Sequence, residues 1–158
     1  MDMITRDENT STDALAIVER YEAFVNYLYP ILQNAPRRHG VIRDTVLAAL
    51  FGPIGGLYHA AKSRQVSRLY AVDAEFATLR SYLRFLSQGH IKILTPKQHV
   101  TSLALLSEPG KMLGAWLRKL KTNNASRAQD VDDAHASRRA GDARSLQGVA
   151  LQRGQAGK

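Results

Sequence analysis

Ala14, Val18, Tyr21, Val25, Leu28 and Leu32 follow one another at alternating steps of four and three residues, and a similar rhythm returns three more times before residue 121. Only a helix brings positions so spaced onto one face, and a helix with one apolar stripe must bury it against another element. Four such stripes predict an all-α fold, an antiparallel four-helix bundle over residues 1–121.

Local signals place the boundaries. The first helix is predicted to start near Ser11 to Asp13, where Ser, Thr and Asp supply N-caps, with Pro30 distorting its last turns. The connector Ala35 to Gly40 holds breaker residues and the basic cluster Arg37, Arg38 and His39. The second helix spans about Val41 to Lys62, with Ile42, Val46, Leu50, Ile54, Leu57 and Ala61 towards the core. Pro53 in its middle removes a hydrogen bond and clashes with the preceding turn, costing ~3 kcal/mol, so this helix is expected to be kinked or split.

The third helix, about Gln65 to Ser87, carries Leu69, Val72, Phe76, Leu79, Leu83 and Leu86. Thr95 then caps a fourth helix with Pro96 in its first position. That helix runs to about Lys121 with Val100, Leu103, Leu106, Leu113, Leu117 and Leu120 as its stripe, Trp116 beside it and Pro109–Gly110 interrupting it. From Thr122 onward Phe, Trp and Tyr are absent, and the larger aliphatics are Val131, Leu146, Val149 and Leu151. So little apolar surface cannot offset the entropy of ordering, and 122–158 is expected to be a disordered tail.

Lys and Arg number 22 against 14 Asp and Glu, a net charge of +8, which favours a polyanionic partner. Cysteine is absent, which excludes disulfides and thiolate metal sites and fits a reducing, cytoplasmic setting. The polar, acidic start is unlike a signal peptide. Thr45 to Ala61 is free of charge but short for a membrane span, so it reads as a buried bundle helix and no membrane partner is expected.

Catalytic patterns are missing. The five histidines lack metal-ligand spacing, so no metal or other cofactor is expected. Gly52 to Gly56 is not followed by the Gly-Lys-Ser/Thr of a phosphate loop. Tyr70 to Asp73 lacks the first acid of the polymerase Tyr-x-Asp-Asp motif. No nucleophile, base and orienting group can be assembled, and no enzyme is expected.

The cations remain. A scattered lysine usually marks only a solvated face, but the third helical segment holds Lys62, Arg64, Arg68, Arg80 and Arg84 in or just before it, against Asp73 and Glu75. Arg64/Arg68 and Arg80/Arg84 have the i, i+4 spacing of one helical face, and Tyr82 and Phe85 add stacking surface. Arg37, Arg38, Arg118, Lys119 and Lys121 are further candidates for phosphate contact.

Several ordered stretches resemble the accessory variability proteins (Avd) of diversity-generating retroelements. They are IVERYE at 17–22, YLYPI at 27–31, PRRHGV at 36–41, QVSRLYA at 65–71, LR at 79–80, LRFL at 83–86, TP at 95–96 and LGAW at 113–116. GQAGK at 154–158 resembles the end of a phage-encoded member. The wider group includes four-helix proteins encoded in ribosomal RNA intervening sequences. The resemblance implies a homopentameric ring of four-helix bundles whose electropositive surface binds RNA and DNA. It also implies a complex with the retroelement's reverse transcriptase that supports mutagenic copying of a template repeat into a target gene. Arg80 and Arg84 match basic positions of the family's third helix, and Lys62, Arg68, Arg37 and Arg38 fall at family-like basic positions. Pro53, Pro109 and the 122–153 insertion depart from the family. A general RNA-binding bundle without a polymerase partner, or a structural helical adaptor, are the alternative readings.

Overall fold

The structure, a computed structural model, describes the backbone from Asp2 to Gly154 and side chains over 12–141. Four helices form it: α1 (Asp2–Gln33), α2 (Gly40–Ser63), α3 (Val66–Leu86) and α4 (Pro96–Gly154), with a 3₁₀ turn at Arg37–His39 before α2. No strand occurs among the described residues. The two residues between α2 and α3 leave room only for a reversal, so these helices lie antiparallel. Two compact units divide the chain, 1–118 and 119–158.

The first unit holds the core. All six predicted stripe residues of α1 are buried, and so are all six of α3. Ile17 and Phe24 widen the α1 stripe. Tyr21 lies at its centre: its hydroxyl donates to the Leu50 carbonyl at 2.7 Å, and its ring stacks on Phe76 at 5.3 Å between centroids. Burial pushes the Tyr21 phenol well above its usual range, and the Glu75 carboxylate adds to the shift.

The prolines do not split their helices. Helix α2 runs unbroken through Pro53, and α4 runs unbroken through Pro109. Both rings are buried, in stripes that read Val46, Leu50, Pro53, Leu57, Ala60 and Ser102, Leu106, Pro109, Leu113, Trp116. Each proline thus serves as a core residue. Counting the prolines as breakers shifts the predicted phase: Ile42, Ile54 and Ala61 are half-buried, and Val100 is 66% exposed. Leu103 and Leu117 flank the true α4 stripe.

One other boundary moves. Helix α1 passes through Ser11 to Asp13, because residues that favour caps cost a helix interior only about 0.7 kcal/mol or less each. The second unit, expected from composition as a tail, continues α4 to Gly154, and every side chain from Lys121 to Gly141 is exposed. It buries nothing there, as its composition demands, while helical hydrogen bonds are local and need no core. The N-terminus of α4 is capped as predicted. The Gln98 amide donates to Thr95 Oγ1 at 3.2 Å and the Thr95 amide to Gln98 Oε1 at 3.0 Å, a reciprocal capping box.

Helix α2 meets α3 at close range through Gly52 and Gly56, one turn apart. A Cβ at Gly56 would lie 2.6 Å from Val72 Cγ2, and one at Gly52 would lie 3.5 Å from the Glu75 carboxylate. Gly55, one residue away, faces open space. Gly55→Ala is therefore expected to stabilise the fold by about 0.5–1 kcal/mol through reduced chain entropy. Gly56→Ala is expected to destabilise it by ~1–3 kcal/mol, since Val72 is stiff at χ1 and cannot swing aside. Urea unfolding of the two variants checks this, and shifts of the same sign would rule out the tight contact.

Candidate nucleic-acid interface

The bundle has two ends. One gathers the close of α1, the 3₁₀ turn, the start of α2, the close of α3 and the start of α4. The other holds the α2–α3 corner, roughly 30 Å away for helices of this length. The seven candidate cations divide between them.

At the first end, Arg37 and Arg38 are exposed on the 3₁₀ turn, with Arg38 Nε donating to His39 Nε2 at 3.1 Å. Arg84 is exposed in the last turn of α3. Arg80 is half-buried one turn earlier and reaches across to α4, where a Cβ at Gly110 would come within 2.8 Å of its Nη2. The glycine leaves room for the guanidinium to lie along the α3–α4 groove. At the second end stand Lys62, Arg64 and Arg68. Arg64 does not lie on α3: it caps α2 in the left-handed conformation (φ 53°), its amide donating to the Ala60 carbonyl at 2.9 Å. Arg64 and Arg68 are therefore not a pair on one helical face, because the chain reverses between them. Arg68 sits ~120–160° around the α3 axis from Arg80 and Arg84, so α3 carries no continuous cationic stripe.

The surroundings separate the two ends. No carboxylate occurs between Glu22 and Asp44 or between Glu75 and Glu108. These two spans supply almost all of the first end. Asp44 is engaged by Arg43 at 2.8 Å, and Glu108 lies 3.8 Å from Lys111. The second end has Asp73 within two turns of Arg68 on α3, while Glu75 lies mid-bundle over Gly52. The first end is thus a cationic pole.

Two more cations belong to that pole. Lys92 lines a cleft of about 330 Å³ together with Pro30, Asn34, Pro36 and Gln98, so the loop before α4 lies beside the 3₁₀ turn. Lys97 is exposed in the first turn of α4, next to Gln98. Among the described residues no ion pair engages Arg84, Lys92 or Lys97. The sequence signal that marks Lys92 and Lys97 is the absence of acids around them rather than any clustering of bases. Arg118, Lys119 and Lys121 all have partners. Among the described residues, no group of three or more His, Asp or Glu side chains gathers to hold a metal ion.

Fold and charge define the class, a small helical bundle with its positive charge concentrated at one end. Residues 15–120 match the model of the bAvd-like family, and the chain belongs to that family, which is consistent with an accessory variability protein of a diversity-generating retroelement. Accessory proteins of this kind are generally non-catalytic. No curated protein matches the sequence significantly.

Proposed function

We propose that the protein is a non-catalytic RNA- and DNA-binding subunit of a diversity-generating retroelement reverse transcriptase, holding template RNA during mutagenic copying of a template repeat into a target gene. The carboxylate-poor pole carries this reading. A surface of Arg37, Arg38, Arg80, Arg84, Lys92 and Lys97 with no unengaged acid among its residues suits a phosphate backbone, which binds by charge and releases counterions. Family membership supports the retroelement role, from which the polymerase partner is proposed.

The bundle's flank supports self-association, and we take the ring of five implied by the family as the assembly. Helix α2 has no charged residue from Thr45 to Ala61, yet Phe51 is 52% exposed and Tyr58 44% exposed. Tyr29 of α1 meets Phe51 edge-on at 6.2 Å, and Leu15 lies two heptads before Tyr29 on the same helix face. A second copy is the occupant best matched to this uncharged face.

Four outcomes are expected. Arg80→Ala with Arg84→Ala should weaken RNA binding and make the plot of log affinity against log salt shallower by about one to two, with helicity unchanged. Lys62→Ala with Arg68→Ala should have a smaller effect; equal binding by both variants and the wild type at matched salt would rule out the pole. The reverse transcriptase encoded beside this gene should co-purify with the protein after nuclease treatment, whereas separation of two folded proteins would leave a stand-alone RNA binder. Phe51→Asp should reduce the assembly to single chains in light scattering with circular dichroism unchanged. A wild type already of single-chain mass would remove the ring.

A further inference from the structure

The cationic pole contains a feature that phosphate binding does not use. Phe85, the penultimate residue of α3, keeps 37% of its surface exposed although it follows the buried stripe of Leu79 and Leu83. Its ring meets that of His90 at 6.2 Å between centroids and 83° between planes. His90 is itself exposed. Two rings at right angles make an open corner, one forming a floor and the other a wall.

The corner is held rigidly. The loop that carries His90 is pinned to the end of α3: the Gln88 amide donates to the Phe85 carbonyl, the Ile91 and Lys92 amides to the Gln88 carbonyl, and the Ile93 and Leu94 amides to the Leu86 carbonyl. Lys92 accepts the left-handed conformation (φ 50°) to close this loop. An aromatic surface fixed before its ligand arrives loses little entropy on binding. Arg84 precedes Phe85 in sequence and Lys92 lies two residues after His90, so both rings are flanked by cations with no carboxylate between Glu75 and Glu108.

Granting the nucleic-acid contact proposed above, we infer that Phe85 and His90 form a stacking site for an unpaired base, so the pole prefers single-stranded RNA over a duplex. The charge argues for this occupant. An apolar protein segment would leave Arg84 and Lys92 unmatched, whereas a nucleotide presents a π-face to the rings and phosphates to the flanking cations. In a duplex the bases are stacked on one another and offer no face to Phe85.

The test uses the full chain and fluorescently labelled oligoadenylate, single-stranded and as a duplex of the same length paired with oligouridylate. Phe85→Leu keeps an apolar side chain and removes the π-face. It is expected to weaken single-strand binding by about tenfold, to leave duplex binding unchanged, and to leave the salt slope unchanged because no charge is lost. Phe85→Trp should retain single-strand affinity, and its emission should be quenched by the single strand but not by the duplex; Trp116 is only 3% exposed and gives a steady background. Equal losses on both ligands with Phe85→Leu, or no loss together with an unquenched Phe85→Trp, would overturn the stacking site while leaving charge-driven binding in place. A wild type that binds neither ligand would remove the nucleic-acid reading and the stacking site together.

Discussion

One side chain sets the geometry of the first three helices. Tyr21 belongs to α1, donates its hydroxyl to the Leu50 carbonyl of α2 and stacks on Phe76 of α3. A buried hydrogen bond is worth about 0.5–1.5 kcal/mol and an aromatic pair about as much, but the directional effect matters more. The stack fixes the rotation of α3 about its own axis, because Phe76 has to face Tyr21. Leu79 and Leu83, three and seven residues on, then stay on the buried side. Phe85, nine residues on, comes out ~180° away, on the outside. The exposure of one phenylalanine at the pole is thus a consequence of the burial of another near the middle of the bundle. Glu75 bears a cost of the same arrangement: it lies over Gly52 and near Tyr21, and burial raises its carboxyl pKa. A raised folded-state value means that this group favours the fold most at acid pH and less as pH climbs through that value.

Charge is arranged along the bundle rather than around it. The Debye length in physiological salt is about 8 Å, while the two ends lie roughly 30 Å apart. Each end therefore presents its own potential, and the net charge of +8 says little about either. At the α2–α3 corner Asp73 lies within two turns of Arg68, and Arg64 is committed to its own interactions. At the opposite end Asp44 is held by Arg43, and Glu108, on the α4 turn that Arg80 reaches, lies 3.8 Å from Lys111. Cations without counter-charges raise the potential, and a handful so placed outweigh a larger number that are paired.

Much of the fold was legible in the sequence. The stripes of α1 and α3 contain no proline within their buried positions, and each of their predicted core residues is buried. The stripes of α2 and α4 were harder to read because their periodic positions include Pro53, Pro109 and Ser102, residues that a search for apolar side chains passes over. A proline ring is apolar and fills volume. Its cost is one missing amide donor, and the buried face of a tightly packed bundle tolerates that cost when neighbouring groups remain satisfied. The Tyr21 hydroxyl reaches the Leu50 carbonyl three residues before Pro53, in the preceding turn. In the candidate site, Arg84, Arg37 and Arg38 could be read from local basic clusters. Their sharing of one end depends on the chain reversing between α2 and α3, which local spacing does not encode. Arg64 was misplaced because a left-handed cap, usually taken by glycine, is here occupied by arginine.

The apolar character of α2 remains to be reconciled with its place in the bundle. By length and composition the span Arg37–Ser63 could cross a membrane, yet its inner stripe packs against α1 and α3. A helix that is apolar all round needs cover on all sides, and two neighbours cover only part of its circumference. Phe51, Tyr58, Gly55 and Ala48 are left outward, without a charge to keep them solvated. In the proposed assembly, a second copy lying on this flank would complete the burial without using the ends of the bundle. The proposed self-association along the flank and the proposed polyanion contact at the pole would then draw on different surfaces, so a ring could close while every pole in it stayed open to RNA. That separation depends on the uncharged run and the acid-free spans falling in different places along the same short chain. The Gly52 and Gly56 contact keeps both in register, by holding α3, and with it Arg84 and Phe85, at a fixed depth against α2.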